Sequence, residues 1–154
     1  SDNRLAKLSN VEIGPAEGGL LAVATHDGYE PSHGILHNRH LFLATGGSNL
    51  RGNDTLEYTG APGEIPRLAV VRFHLHPRVT AAMLHNKRDL LKVSGNRAGW
   101  VFRSNAATTL DNSLFFDGQN RMNCQQIVVN LALADLRTLS SKTIKWAFTR
   151  SDAD

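Results

Sequence analysis

The chain has 154 residues, 41% hydrophobic and 20% charged, with 13 Gly and 5 Pro. That length suits a single domain over residues 1–154 with a sizeable core, and the composition excludes disordered and collagen-like chains. A formal net charge of +3, from 17 Lys and Arg against 14 Asp and Glu, is mild and scattered, which argues against nucleic acid and suits at most an acidic small molecule or polysaccharide.

No stretch keeps a helical period, whereas short alternating runs separated by turn residues recur throughout, so the expectation is all-β. Asn10 to Ile13 and Leu20 to Thr25 read as a hairpin joined by the turn-rich Gly14 to Gly19. After the turn-like His26, Asp27 and Gly28, a long strand is expected from about Gly34 to Ala44. His37, Arg39, Leu41 and Leu43 share one of its faces, Asn38, His40 and Phe42 the other, and its second half reads as the better buried. Gly52 with Asn53 reads as a turn into a short strand, Asp54 to Tyr58, and Thr59 to Pro66 as a loop.

The approach Leu68 to Val71 leads into Arg72, Phe73, His74, Leu75, His76 and Pro77. In an extended strand Ala69, Val71, Phe73 and Leu75 form an apolar face while Arg72, His74 and His76 share the opposite one, and Pro77 removes a ladder donor where the strand should stop. Val79 to Leu84, Leu90 to Val93, Trp100 to Arg103, Thr108 to Phe116, Gln125 to Asn130 and Thr143 to Arg150 complete the expected strands, and only Leu131 to Leu139 has a faintly helical composition. About ten short strands at this spacing predict an antiparallel β-sandwich of layered sheets. Ile144, Trp146 and Phe148, alternating with Lys145, Ala147 and Thr149, mark a sheet with one buried face.

Cys124 is alone, which excludes an intrachain disulfide and a thiolate metal cluster, and in the run Cys124 to Val129 it reads as a small core residue. No apolar segment reaches the roughly 18 residues of a membrane span, nor is there a signal-peptide stretch. The start at Ser1 without an initiator Met and the polar end Ser151 to Asp154 suggest a piece of a longer protein.

Three constellations carry candidate chemistry. His74 and His76, possible ligands of zinc or nickel, lie roughly 7 Å apart along one strand face, and His26, His37, His40 or His85 would have to complete the set. With Arg72 the same pair could instead contact an anionic ligand, or simply form a polar outer face. His26 and Tyr29 offer a proton acceptor and donor of the kind β-elimination needs, although Asp27 and Gly28 are also ordinary turn chemistry. Arg51 to Glu57 lacks the carboxylate spacing of a calcium loop, and no phosphate loop or nucleophile elbow is present.

The ordered blocks His26 to Tyr29, Gly34 to Phe42, Leu50 to Leu56, Arg72 to Pro77, Gly99 to Arg103 and Gln125 to Val129 resemble the C-terminal region of heparinase II/III-like proteins, from about Val11 to Phe148. The resemblance implies a bacterial polysaccharide lyase built from an N-terminal α/α toroid and a C-terminal layered β-sandwich, cleaving uronic-acid polysaccharides by β-elimination. It places the family's catalytic Tyr and His largely on the toroid, so no catalytic residue is carried onto this chain. Nor does the chain match the family's His-Asn-Thr metal block: Arg39 follows His37 and Asn38 where Thr should stand. What it implies here is a C-terminal domain inactive alone, in which Arg72, His74, His76 and Tyr29 contribute a wall of the substrate cleft. Such a domain needs no cofactor of its own, and zinc would belong to the parent protein. Its expected partners are an acidic polysaccharide and the toroid, in the periplasm or cytoplasm. The alternatives are a noncatalytic module that binds acidic carbohydrate or docks another domain, and a small metalloenzyme using His74 and His76.

Overall fold

The computed structural model of the chain describes residues 5–16, 19–25, 34–43, 49–60, 64–83, 89–93, 99–118 and 120–151. Eleven strands and a single helical turn follow in chain order among these residues. They are β1 (Leu5–Ala16), β2 (Gly19–Thr25), β3 (Ile35–Leu43), β4 (Asn49–Tyr58), β5 (Leu68–Leu75), β6 (Val79–Met83), β7 (Asp89–Val93), β8 (Gly99–Ser104), β9 (Ala107–Asp117), β10 (Asn120–Ala132), α1 (Leu136–Leu139) and β11 (Ser141–Ser151). Sheet A runs β2-β1-β5-β10-β9 and sheet B runs β3-β4-β11-β8-β7-β6. The layering is that of the expected sandwich. One pairing departs from the antiparallel rule: β1 lies parallel to β5, with Asn10 opposite Arg72 and Glu12 opposite His74.

Alternation in β5 builds the middle of the core. Ala69, Val71, Phe73 and Leu75 are fully buried, whereas Arg72 and His74 are half-buried on the opposite face. Phe73 meets Phe102, Trp146 and Phe148 edge-on, with ring centroids 5.2, 4.8 and 5.5 Å away, a geometry that adds to plain burial because ring edges and faces carry opposite partial charge. Ile144, Trp146 and Phe148 of β11 point inward as their alternation predicted.

Several expectations need correction. The helical expectation over Leu131 to Leu139 shrinks to Leu136–Leu139, because β10 holds the chain through Ala132 and Ser140, at φ 71°, ends the turn. Leu136 is its buried anchor. Arg51, Gly52 and Asn53 do not turn; they lie inside β4, with Gly52 between Leu41 of β3 and Trp146 of β11. A Cβ on Gly52 would come within 2.4 Å of the Trp146 ring, so glycine stands there to admit the indole. The burial of β3 is also reversed: Ile35 is buried, while Leu41 and Phe42 are 43% and 49% exposed. Cys124 is not a core residue but half-buried on the outward face with Gln126, since Ile127 and Val129 take the inward positions. The turn expected at His26 to Gly28 lies outside the described residues.

Candidate functional site

Sheet A carries a polar stripe on its outward face. Register sets Glu12, His74, Gln126 and Asp111 in one row across β1, β5, β10 and β9, and Asn10 and Arg72 in the next. His74 Nε2 donates to Asn10 Oδ1 at 2.9 Å, and Arg72 Nη1 reaches Gln126 Oε1 at 3.5 Å. These diagonal contacts fix both side chains on a central strand. Desolvation and the Arg72 charge press the His74 pKa below its ordinary value, only partly opposed by Glu12, so the ring is neutral at pH 7. The stripe therefore carries the Arg72 cation beside a neutral imidazole, with the carboxylates of Glu12 and Asp111 in the same row as His74.

His76 lies just past β5. Its backbone N–H donates to Ile13 O at 2.8 Å, and its Nδ1 accepts the Arg78 N–H at 3.1 Å. The other candidate ligands do not join it: His37 faces the sandwich interior from β3, His40 faces outward on sheet B, and His26, Tyr29 and His85 lie outside the described residues. Among the described residues no three His, Cys, Asp or Glu side chains come together as metal donors. His74 and His76 alone are two donors short of a tetrahedral zinc site.

A second polar group went unread in the sequence. Asp54, fully buried, occupies the inward alternation Leu50, Gly52, Asp54, Leu56 of β4. Its Oδ1 accepts from His37 Nε2 at 2.7 Å and Arg39 Nε at 2.9 Å, and its Oδ2 from Trp146 Nε1 at 3.3 Å. Burial pushes the carboxyl up, but the His37 hydrogen bond together with the charge and hydrogen bond of Arg39 outweighs it and holds Asp54 below the ordinary carboxylate value. Arg39 Nη1 and Nη2 are buried without a hydrogen-bond partner. The signal was the shared face of His37 and Arg39; what the sequence did not show is that β4 brings a carboxylate to it. With no solvent-facing atom on Asp54, this cluster ties the edge strand β3 into the sandwich and does not offer itself to a substrate.

The fold is a two-sheet β-sandwich that carries a polar stripe on the outward face of sheet A. The chain belongs to the heparinase II/III-like C-terminal domain family, described as "Heparinase II/III-like, C-terminal", whose model matches residues 1–147. It is also similar to FtsZ-localized protein C of Caulobacter vibrioides (strain NA1000 / CB15N), 30% identical over an alignment of 142 residues that covers 88% of this chain and 24% of that protein. The chain thus spans about a quarter of that relative's length. No solved structure matches.

Proposed function

We propose that this domain is the supporting β-sandwich of a heparinase II/III-like polysaccharide lyase, contributing a substrate-facing wall and no catalysis of its own. Its partners in this reading are an acidic polysaccharide and an N-terminal α/α toroid, which supplies the base and acid of β-elimination. The observation that carries the reading is Arg72, held toward Gln126 beside the neutral His74 on the centre of an outward sheet face. A uronate carboxylate accepts from a guanidinium, and neutralising that carboxylate is what makes the neighbouring proton removable. The domain needs no cofactor in this reading; zinc would be bound by the remainder of the parent protein.

The test is an NMR titration of the labelled chain with uronate oligosaccharides, with absorbance of unsaturated product followed in parallel. The expected result is amide shifts centred on Asn10, Arg72, His74 and Gln126, weakened roughly tenfold by Arg72→Gln, with no product formed. Absence of shifts there would overturn the binding role, and product formation by the domain alone would overturn the supporting role.

A second reading, domain docking, is favoured by the similarity to a protein named for its localisation with FtsZ. Co-sedimentation of this chain with FtsZ filaments would support it, and its absence from the pellet at micromolar filament concentration would count against it.

A further inference from the structure

We propose that the outward face of sheet B holds a binding site for a phosphoryl ester, formed by Arg51, Arg103 and Lys145 around Ala147. This face is distinct from the sheet A stripe and the inference does not depend on the polysaccharide reading. In register, Phe42, Arg51, Ala147 and Arg103 form one row across β3, β4, β11 and β8, and Asn53 and Lys145 lie in the next. The two guanidinium groups therefore stand on strands either side of β11, roughly 10 Å apart at their backbones. Between them the Ala147 methyl leaves space that a longer side chain would fill, and these residues line a groove of about 610 Å³. That volume is in the range of small-molecule sites.

The backbone under the groove is fixed. Asn105 extends the pairing beyond β8: its N–H donates to Lys145 O at 3.2 Å, its Oδ1 accepts the Lys145 N–H at 2.8 Å, and its Nδ2 donates to Thr143 O at 2.9 Å. Trp146, buried below the groove floor, packs against Gly52 and is tied to Asp54. The cations are thus mounted on a rigid platform, while their side chains remain exposed. The ion pairs between described residues include those of Asp54 with His37 and Arg39 and of Asp135 with Lys142, and none of the three cations has a carboxylate partner among the described residues.

Three like charges gathered around one small residue repel one another until a compact group of more than one negative charge arrives. A phosphoryl ester carries about −1.5 to −2 at neutral pH on three acceptor oxygens, and arginine forks match such oxygens two at a time. Carboxylates spaced singly along a polymer would not bring that charge to one point. The half-exposed Phe42 ring, beyond Arg51 in the same row, offers an apolar surface for the organic part of the ester.

The test titrates the labelled chain with phenyl phosphate, with benzoate and a uronate oligosaccharide as separate arms. The site predicts amide shifts centred on Arg51, Asn53, Arg103, Lys145 and Ala147. Binding should weaken roughly tenfold in Arg51→Gln and in Arg103→Gln. The wild-type shift map needs no variant, so a variant that failed to fold would not obscure the result. No shifts at about 10 mM phenyl phosphate, or benzoate binding as tightly, would overturn the proposal. Preferential filling of this groove by the uronate arm would also overturn it. Failure of the polysaccharide reading shows separately, at the amides around Arg72 and His74.

Discussion

Replacing Asp54 by Asn removes the one charge that two cation-forming or donor side chains and an indole share in the interior. Asp54 is fully buried, and His37 and Arg39 are each 8% exposed at the side chain, so solvent cannot take over the lost partner. The amide keeps the volume but turns one acceptor into a donor, facing either the Arg39 and His37 donors or the Trp146 N–H. Removing one partner of a buried ion pair costs about 3–5 kcal/mol, because the other charge stays buried and uncompensated. For a domain of this size that lowers Tm by roughly 6–20 °C, taking about 2–4 °C per kcal/mol. The assay is urea unfolding of wild type and D54N, followed by tryptophan fluorescence at several pH values. Since the folded-state pKa of Asp54 is lowered, its contribution is fully present above the unfolded value of about 3.9 and is lost as pH falls through the folded value. The stability gap between wild type and D54N should therefore be constant near neutrality and close in acid. A gap below about 1 kcal/mol at pH 7, or one that persists unchanged at the lowest pH where both proteins still fold, would refute the role given to the buried carboxylate.

Three further outcomes follow from the same geometry. Gly52→Ala drives a methyl into the Trp146 ring and should destabilise by about 1–3 kcal/mol despite alanine's lower chain entropy, measured by thermal unfolding; an unchanged or raised Tm would show that the indole moves aside freely. The His74 ring, followed by NMR, should titrate below the free-histidine value of about 6.5 and rise toward it in Arg72→Gln; a value at or above 6.5 in the wild type would contradict the burial and charge ascribed to it. Because that pKa is lowered on folding, the His74 contribution is complete above about pH 6.5 and declines as pH falls toward the folded value. Leu136→Ala empties a fully buried position beneath α1 and should cost about 2–5 kcal/mol in urea unfolding, whereas the exposed Leu139→Ala should cost well under 1; equal costs would mean that α1 is not anchored through Leu136.

Much of the fold was legible because a strand sorts side chains by parity, a property local to each run. Ala69, Val71, Phe73 and Leu75 against Arg72 and His74, and Ile144, Trp146 and Phe148 against Lys145 and Ala147, could be divided between core and surface with no knowledge of their neighbours. The family resemblance rested on ordered blocks of the same kind, and it holds over residues 1–147. Parity could not say what stands across the gap. Gly52 looks like a turn residue until Trp146, far along the chain, is seen to occupy the space of its missing side chain. In the same way, His37 and Arg39 looked like the wetter half of β3 until Asp54 was placed opposite them; a carboxylate that compensates both donors lets polar side chains take the interior. The parallel β1–β5 pairing, which puts Asn10 within reach of His74, is likewise a fact of chain path, as is the meeting of Arg51 and Arg103 across Ala147. In β5 and β11 sequence alone determined which face each residue would show, because that depends on backbone alternation. Tertiary structure decided which of those faces met and which charges were left without partners, because strand neighbours are set by contacts between residues distant in the chain.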